Sequence, residues 1–189
     1  MSKTTIPTGG ITDGTIATGD IADDAVTAAK STAHITVADH YIVTAAFAGD
    51  ADPVSSNISR ASAADSVFGN IGSAMSVSSG VFTFPSTGIY KVEFIPYFND
   101  TAANNSVRGL IQTTTNNSSY DTRAQNPTNI ADIDTYNYGS VYVSVLFDVT
   151  NTSTHKVRFN MYSGYGGFDI NGDTNTNETY ATFTRVGGT

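Results

Sequence analysis

Cysteine and tryptophan are absent from this chain of 189 residues, and charge is scarce. Without cysteine there is no disulfide framework, no thiol nucleophile and no thiolate metal site. Charged residues make up 14% of the chain, well under the usual quarter, and Lys and Arg total 9 against 17 Asp and Glu. A net charge of −8 with no basic cluster excludes a phosphate-backbone interface, so no nucleic-acid partner is expected. No hydrophobic run approaches membrane-spanning length, and no membrane insertion is expected. The opening MSKTTIPTGG has one lysine and no apolar stretch, so it is not read as a secretory signal. The Asn-x-Ser/Thr sequons at Asn57, Asn117 and Asn177 are given no weight for that reason.

What is present is Thr, Ser, Asn and Gly, together with 10 Tyr and 10 Phe in a chain that is 39% hydrophobic. That composition suits one β domain plus a short extra segment, with a surface of hydroxyls and amides rather than ions.

Residues 1–37 carry an internal repeat: Ile6, Ile11, Ile16, Ile21 and Val26 recur every five residues between spacers such as TDGT and ATGD. On a strand an odd period sends successive isoleucines to opposite faces. On a helix a step of five turns about 140°, and no stripe forms. Each unit therefore needs a bend, which Gly9, Gly10, Gly14 and Gly19 supply. One isoleucine per unit gives a single chain no core, whereas three chains wound together stack three per layer as a thin stem. In DIADDAVTAAK the glycines disappear, and a short helix is expected with Asp20 as N-cap, Asp23 and Asp24 in the first turn and Lys30 near the end.

From residue 40 onward the pattern is strands and polar turns. YIVTAAF (41–47) is read as the first strand, 48–66 mainly as loop and SVFGNI (66–71) as a small edge strand. The clearest hairpin is GVFTFPSTGIYKVEFIPYF (80–98). Phe82 and Phe84 share a face of its first strand. Tyr90, Val92, Phe94 and Phe98 share a face of the second, with Lys91, Glu93 and Tyr97 opposite. Strands follow at 107–114, 139–149, 155–162 and 178–186, and 120–137, with its Pro127, is read as a long connection. Val141, Val143, Val145, Phe147 and Val149 alternate against Tyr142, Ser144, Leu146 and Asp148. Short strands with frequent turns and little helix make the fold class all-β, an antiparallel sandwich.

The stretch GVFTFPSTGIYKVEF, with its aromatic-Thr-aromatic strand, its Pro85-x-x-Gly88 turn and Tyr90 after it, resembles the signature of complement-type globular heads. Those are trimeric jelly rolls of the tumour-necrosis-factor superfamily. The resemblance spans roughly residues 40–189; GSVYVSVLFDV and HKVRFNMY fall where that family has central later strands, and TYATFTRV fits its closing strand. The family's cysteine and tryptophan positions are missing here. The N-terminal repeat ITDGTIATGDIADDAVTAAK separately resembles segments of bacteriophage fibre and appendage proteins that precede a trimeric head.

Together the resemblances imply a homotrimeric jelly roll (40–189) behind a slender stem or attachment segment (1–37), located on a virion and made in a host cytoplasm. The implied partners are two further copies of the chain, other virion proteins at the N-terminus, and a glycan or protein of the host surface. Ile6, Ile11, Ile16, Ile21 and Val26 are the stem candidates. Tyr90, Tyr97, Tyr142 and Phe183 are candidates for trimer interface or core, with Phe82, Phe84, Val92 and Phe94 in the monomer core. Tyr162, Tyr165 and Phe168, set in the glycine-rich YSGYGGF, are candidate receptor contacts, and packing is the commoner fate of such rings. The alternative reading is a free carbohydrate- or ligand-binding trimeric module.

No catalytic pattern accompanies this architecture. The histidines, His34, His40 and His155, lie apart in sequence, and no nucleophile elbow, His-Glu-x-x-His or phosphate loop occurs. A glycan-cleaving site needs paired carboxylates, and none are located. An enzyme is not expected, and neither is a cofactor. Calcium is one candidate ligand: Asp169, Asn171 and Asp173 alternate as oxygen donors in DINGDTNTNE, although the loop lacks the full twelve-residue spacing. An Asx-rich surface loop accounts for the same residues.

Overall fold

In the computed structural model, residues 16–22, 25, 34–61, 69–100, 106–131, 137–164 and 167–189 are described. The chain divides into two units, Met1–His34 and Ile35–Thr189. In the first unit the described residues include a single 3-10 turn, Thr18–Asp20. The Asp20 carboxylate accepts a hydrogen bond from the Ala17 amide at 2.8 Å and so closes this turn; the helix expected after it falls mostly outside the described residues. Ile16 and Ile21 are 50% and 43% exposed. Ile6, Ile11, Val26, Asp23, Asp24 and Lys30 lie outside the described residues.

The described strands of the second unit are β1 (Ala38–Val43), β2 (Phe47–Ala48), β3 (Ile58–Arg60), β4 (Ser76–Ser78), β5 (Val81–Thr83), β6 (Gly88–Ile95) and β7 (Tyr97–Asp100). They continue as β8 (Ser106–Thr114), β9 (Asp121–Asn129), β10 (Asn137–Ser140), β11 (Val143–Val149), β12 (Lys156–Ser163), β13 (Phe168–Ile170) and β14 (Tyr180–Gly187). Two five-stranded sheets, β11-β6-β14-β1-β3 and β4-β5-β12-β8-β9, face each other, and a four-stranded sheet, β10-β7-β13-β2, accompanies them. Pairing between these strands is antiparallel. The β6 sheet and the β12 sheet are the two walls of a jelly roll.

The hairpin at 80–98 explains how the walls connect. Its first strand, β5, joins the β12 sheet and its second, β6, crosses to the opposite wall. Gly88 makes the crossing with φ of +142°, and a Cβ there would meet the Arg185 Nε at 2.3 Å and the Gly187 carbonyl at 2.7 Å. No side chain is compatible with that approach. Tyr90 then reaches back, its hydroxyl 3.1 Å from the Ser86 carbonyl and 2.9 Å from the Ser86 hydroxyl. The Pro-x-x-Gly turn and the tyrosine two residues beyond it are thus one locked corner.

Alternation decides what fills the core. Tyr90, Val92 and Phe94 of β6, Phe183 of β14 and Tyr41 of β1 point inward from one wall; Phe82 of β5 with Val157, Phe159 and Met161 of β12 answer from the other. Phe94 stacks on Phe159 at 4.7 Å, Tyr41 meets Phe82 edge-on at 5.0 Å, and Phe183 packs on Phe82 at 5.0 Å. Tyr90 and Phe183 are fully buried in this core, so neither is an interface residue.

Several segments differ from expectation, among them 139–149, which is two strands, β10 and β11, in different sheets. The first strand is Ala38–Val43 rather than 41–47, because Asp39 is a buried anchor that accepts the Met75 amide at 2.7 Å and pairs with Arg60 at 2.6 Å. Within the expected loop 48–66, Ile58–Arg60 adds β3 to the edge of the β6 sheet through Tyr41, Ile42 and Val43. The expected connection 120–137 contains β9, a nine-residue edge strand on β8. Of the expected edge strand 66–71, Ile71 forms a bridge to Ala38, and 66–68 lie outside the described residues.

Candidate functional site

Strand alternation that sends Tyr90, Val92 and Phe94 inward sends Ile89, Lys91, Glu93 and Ile95 outward. The registers of β1, β14, β6 and β11 arrange the outward face in rows. Leu146, Lys91, Thr184 and Ala38 form one row; Ser144, Glu93, Thr182 and His40 the next; Ile95, Tyr180 and Ile42 a third. Leu146 is 66% exposed and Tyr142 51%, and Val186, in the bulge near the end of β14, is 52% exposed. Tyr142, a candidate for trimer interface or core, stands exposed on this face just before β11 and is not a core residue.

At the centre of the face lies Glu93. Its carboxylate accepts hydrogen bonds from the Tyr142 hydroxyl at 2.5 Å and the Thr182 hydroxyl at 2.9 Å, and pairs with Lys91 at 2.7 Å. Burial by itself pushes this carboxyl up, but the bonds from Lys91, Tyr142 and Thr182 outweigh it and hold the group below its usual range. The partner Lys91 is raised in turn, through its hydrogen bond to Glu93. Such a carboxylate keeps its donors if the face is covered, which removes the main cost of burying it.

At the β7 end of the face is a groove of about 450 Å³ lined by Ile95, Tyr97, Ser140, Asn177, Glu178 and Tyr180. Tyr97 is stacked on Tyr138 with centroids 5.6 Å apart, and Tyr180 on His40 at 5.3 Å. Burial raises the Tyr97 hydroxyl above its usual pKa, with Tyr138 and Glu178 adding to the shift. Burial also lowers His40, opposed by its side-chain interaction with Asn177 and by the charge of Asp39.

The solvent face of the β12 sheet is built differently. Asp52 accepts the Tyr162 hydroxyl at 2.6 Å and the Asn160 amide at 2.6 Å, and lies 3.3 Å from Arg158. Arg158 donates to Gln112 at 2.8 Å and covers the Tyr120 ring at 4.4 Å. Tyr162, a candidate receptor contact, is thereby tied into a polar network, with Arg108 over its ring at 5.4 Å. Phe168, another, is 1% exposed and packs edge-on against Phe98 at 6.4 Å, so it is a core residue and not a contact. Tyr165 lies outside the described residues.

The candidate calcium residues are spread along one strand and the loop after it. Asp169 sits in β13 opposite Asn99 and Ala48, while the Asn171 amide donates to the Tyr97 carbonyl at 2.8 Å. Asp173 accepts the backbone amides of Asn175 at 2.6 Å and Thr176 at 3.0 Å, an Asx turn. Among the described residues no group of three His, Cys, Asp or Glu is placed to hold a metal ion.

This architecture has known counterparts. The chain is similar to the solved structure of Eiger TNF from S. frugiperda, with a TM-score of 0.62 and 11% identity over 82% of this chain and 96% of that one. Murine APRIL at pH 8.5 gives a TM-score of 0.56 and 12% identity over 79% of this chain and 98% of the other. The fold is a tumour-necrosis-factor-like jelly roll. No protein-family model and no curated protein matches the chain. Identities this low carry the fold and leave function to the residues.

Proposed function

We propose that the chain is a structural appendage protein of a bacteriophage particle, a homotrimer held to the virion by residues 1–37 and displaying its jelly roll at the surface. Self-association rests on one observation: the β6 sheet presents Leu146, Tyr142 and Val186 to solvent around a carboxylate whose hydrogen bonds are already made. Large exposed apolar side chains gathered on one face mark a surface meant to be covered. Burying a leucine contributes on the order of 1.5–3 kcal/mol, and a closed threefold assembly collects that gain three times. Particle attachment rests on the five-residue isoleucine repeat, which gives one chain no core and three chains a stem.

The role is assembly and display. Three copies of each loop at one tip turn weak single contacts with a host surface into avid ones. Gold-labelled antibody against the jelly roll, applied to intact particles, tests the location: label on the virion surface is expected, and label confined to the soluble fraction contradicts it. That second outcome supports the other reading, a free trimeric ligand-binding module with the same interface and a dispensable N-terminal segment.

A further inference from the structure

We propose that the groove where β6, β7, β10 and β14 meet binds a neutral sugar ring. The inference goes beyond the assembly reading and requires that the covering copies leave this end of the β6 face open. The groove's volume of about 450 Å³ lies in the range of small-molecule sites. Two of its lining residues are tyrosines, each already covered on one ring face by an aromatic neighbour: Tyr97 by Tyr138 at an interplanar angle of 12°, Tyr180 by His40 at 22°. A ring stacked on one side is held in orientation and has its second face left for a ligand. The apolar C–H face of a pyranose suits such a surface, and the phenol tips remain for hydroxyl groups.

The walls are set before any ligand arrives. Tyr97 is clamped by Thr179, whose hydroxyl accepts from the Tyr97 amide at 2.9 Å and donates to its carbonyl at 3.0 Å; Thr179 is itself fully buried. The opposite wall, residues 173–178, is shaped by the Asx turn of Asp173. Rigid walls lower the ordering cost that otherwise erodes affinity.

The polar groups choose the class of sugar. Ser140, Asn177 and Glu178 offer a hydroxyl, an amide and a carboxylate, which together accept and donate to sugar hydroxyls. Among the described residues no lysine or arginine lines the groove, and Glu178 places a negative charge in it on a chain of net charge −8. A sialic or uronic acid would meet repulsion there without a countercharge. A neutral hexose or N-acetylhexosamine meets none.

Saturation-transfer NMR on the full chain, with methyl β-galactoside, methyl β-glucoside, maltotriose, chitotriose and 3′-sialyllactose as probes, tests this. Transfer is expected to at least one neutral probe and to exceed that to 3′-sialyllactose. Tyr97→Ser and Glu178→Ala should each weaken the binding about tenfold, with light scattering and melting temperature unchanged. Three results overturn the inference: no transfer to any neutral probe, binding that survives both substitutions, or stronger binding of 3′-sialyllactose. Transfer that appears in a dissociated Leu146→Asp chain and not in the native one also overturns it, because a second copy then fills the groove.

Discussion

The two walls of the jelly roll share a core and differ in how they meet water. On the β12 sheet the outward side chains bond to one another: Asp52, Arg158, Asn160, Tyr162 and Gln112 form one hydrogen-bonded network. Among the described residues, no strand of that sheet carries a strongly exposed large hydrophobic side chain. The β6 sheet, including the Tyr142 turn before β11, exposes Tyr142, Leu146 and Val186 and encloses the Glu93 carboxylate in donors. The first face is finished as it stands, and the second is finished only when covered. Since both are antiparallel sheets of five strands, the difference lies in the outward phase of their sequences and not in topology.

The core sets the scale for any attempt to break this contrast. Phe183→Ala removes a fully buried ring that touches Tyr41, Phe82, Phe84 and Phe159, and should cost about 3–5 kcal/mol in denaturant unfolding. A loss under about 1 kcal/mol would mean that the walls do not share this core.

A matched pair of substitutions then separates the faces. Leu146→Asp on β11 should reduce the particle mass in solution to that of one chain, while Gln125→Asp on β9, also exposed, should leave it unchanged. Equal effects at the two sites would erase the distinction between the faces.

A smaller effect is expected on the finished face. Asp52→Ala strips Asn160 and Tyr162 of their shared acceptor, and Asn160 is fully buried, so about 1–3 kcal/mol of stability should be lost with no change in assembly. Dissociation in this variant would show that the network serves the interface.

The smallest effect is a pH dependence on the β6 side. His40 is held below its usual 6.5 by burial, so the unfolded chain takes up a proton near 6.5 that the folded chain takes up only at lower pH. Stability therefore falls as pH drops below 6.5. Glu93 acts in a lower window: its contribution is present above the usual 4.5 and is lost as pH falls through its depressed value. The melting temperature should thus decline between about pH 7 and pH 5.5, and His40→Asn should flatten that decline. An identical slope in the variant would remove His40 from the account.

Much of the architecture was legible because burial writes itself as alternation. Phe82 and Phe84, then Tyr90, Val92, Phe94 and Phe98, read inward from the sequence and lie inward in the fold. The Pro85–Gly88 turn was legible for the same kind of reason: only glycine tolerates the approach of Arg185 and Gly187. Strand β9 was not legible, since an exposed edge strand buries nothing, shows no alternation, and admits Pro127. Nor was the fate of Phe168, whose glycine-rich surroundings resemble a flexible tip while pairing with β7 carries it into the core. The groove is assembled from residues 95–97, 140 and 176–180, and no local spacing announces a site drawn from three separated segments. The polar run that holds the candidate calcium ligands includes an Asx turn shaping one of its walls.

The central claim, that the β6 face is covered by further copies of the chain, meets its most direct test in light scattering of the purified full chain across a micromolar dilution series. A mass three times that of the 19.8 kDa chain, stable on dilution, is expected. A stable monomer over the same range would contradict it.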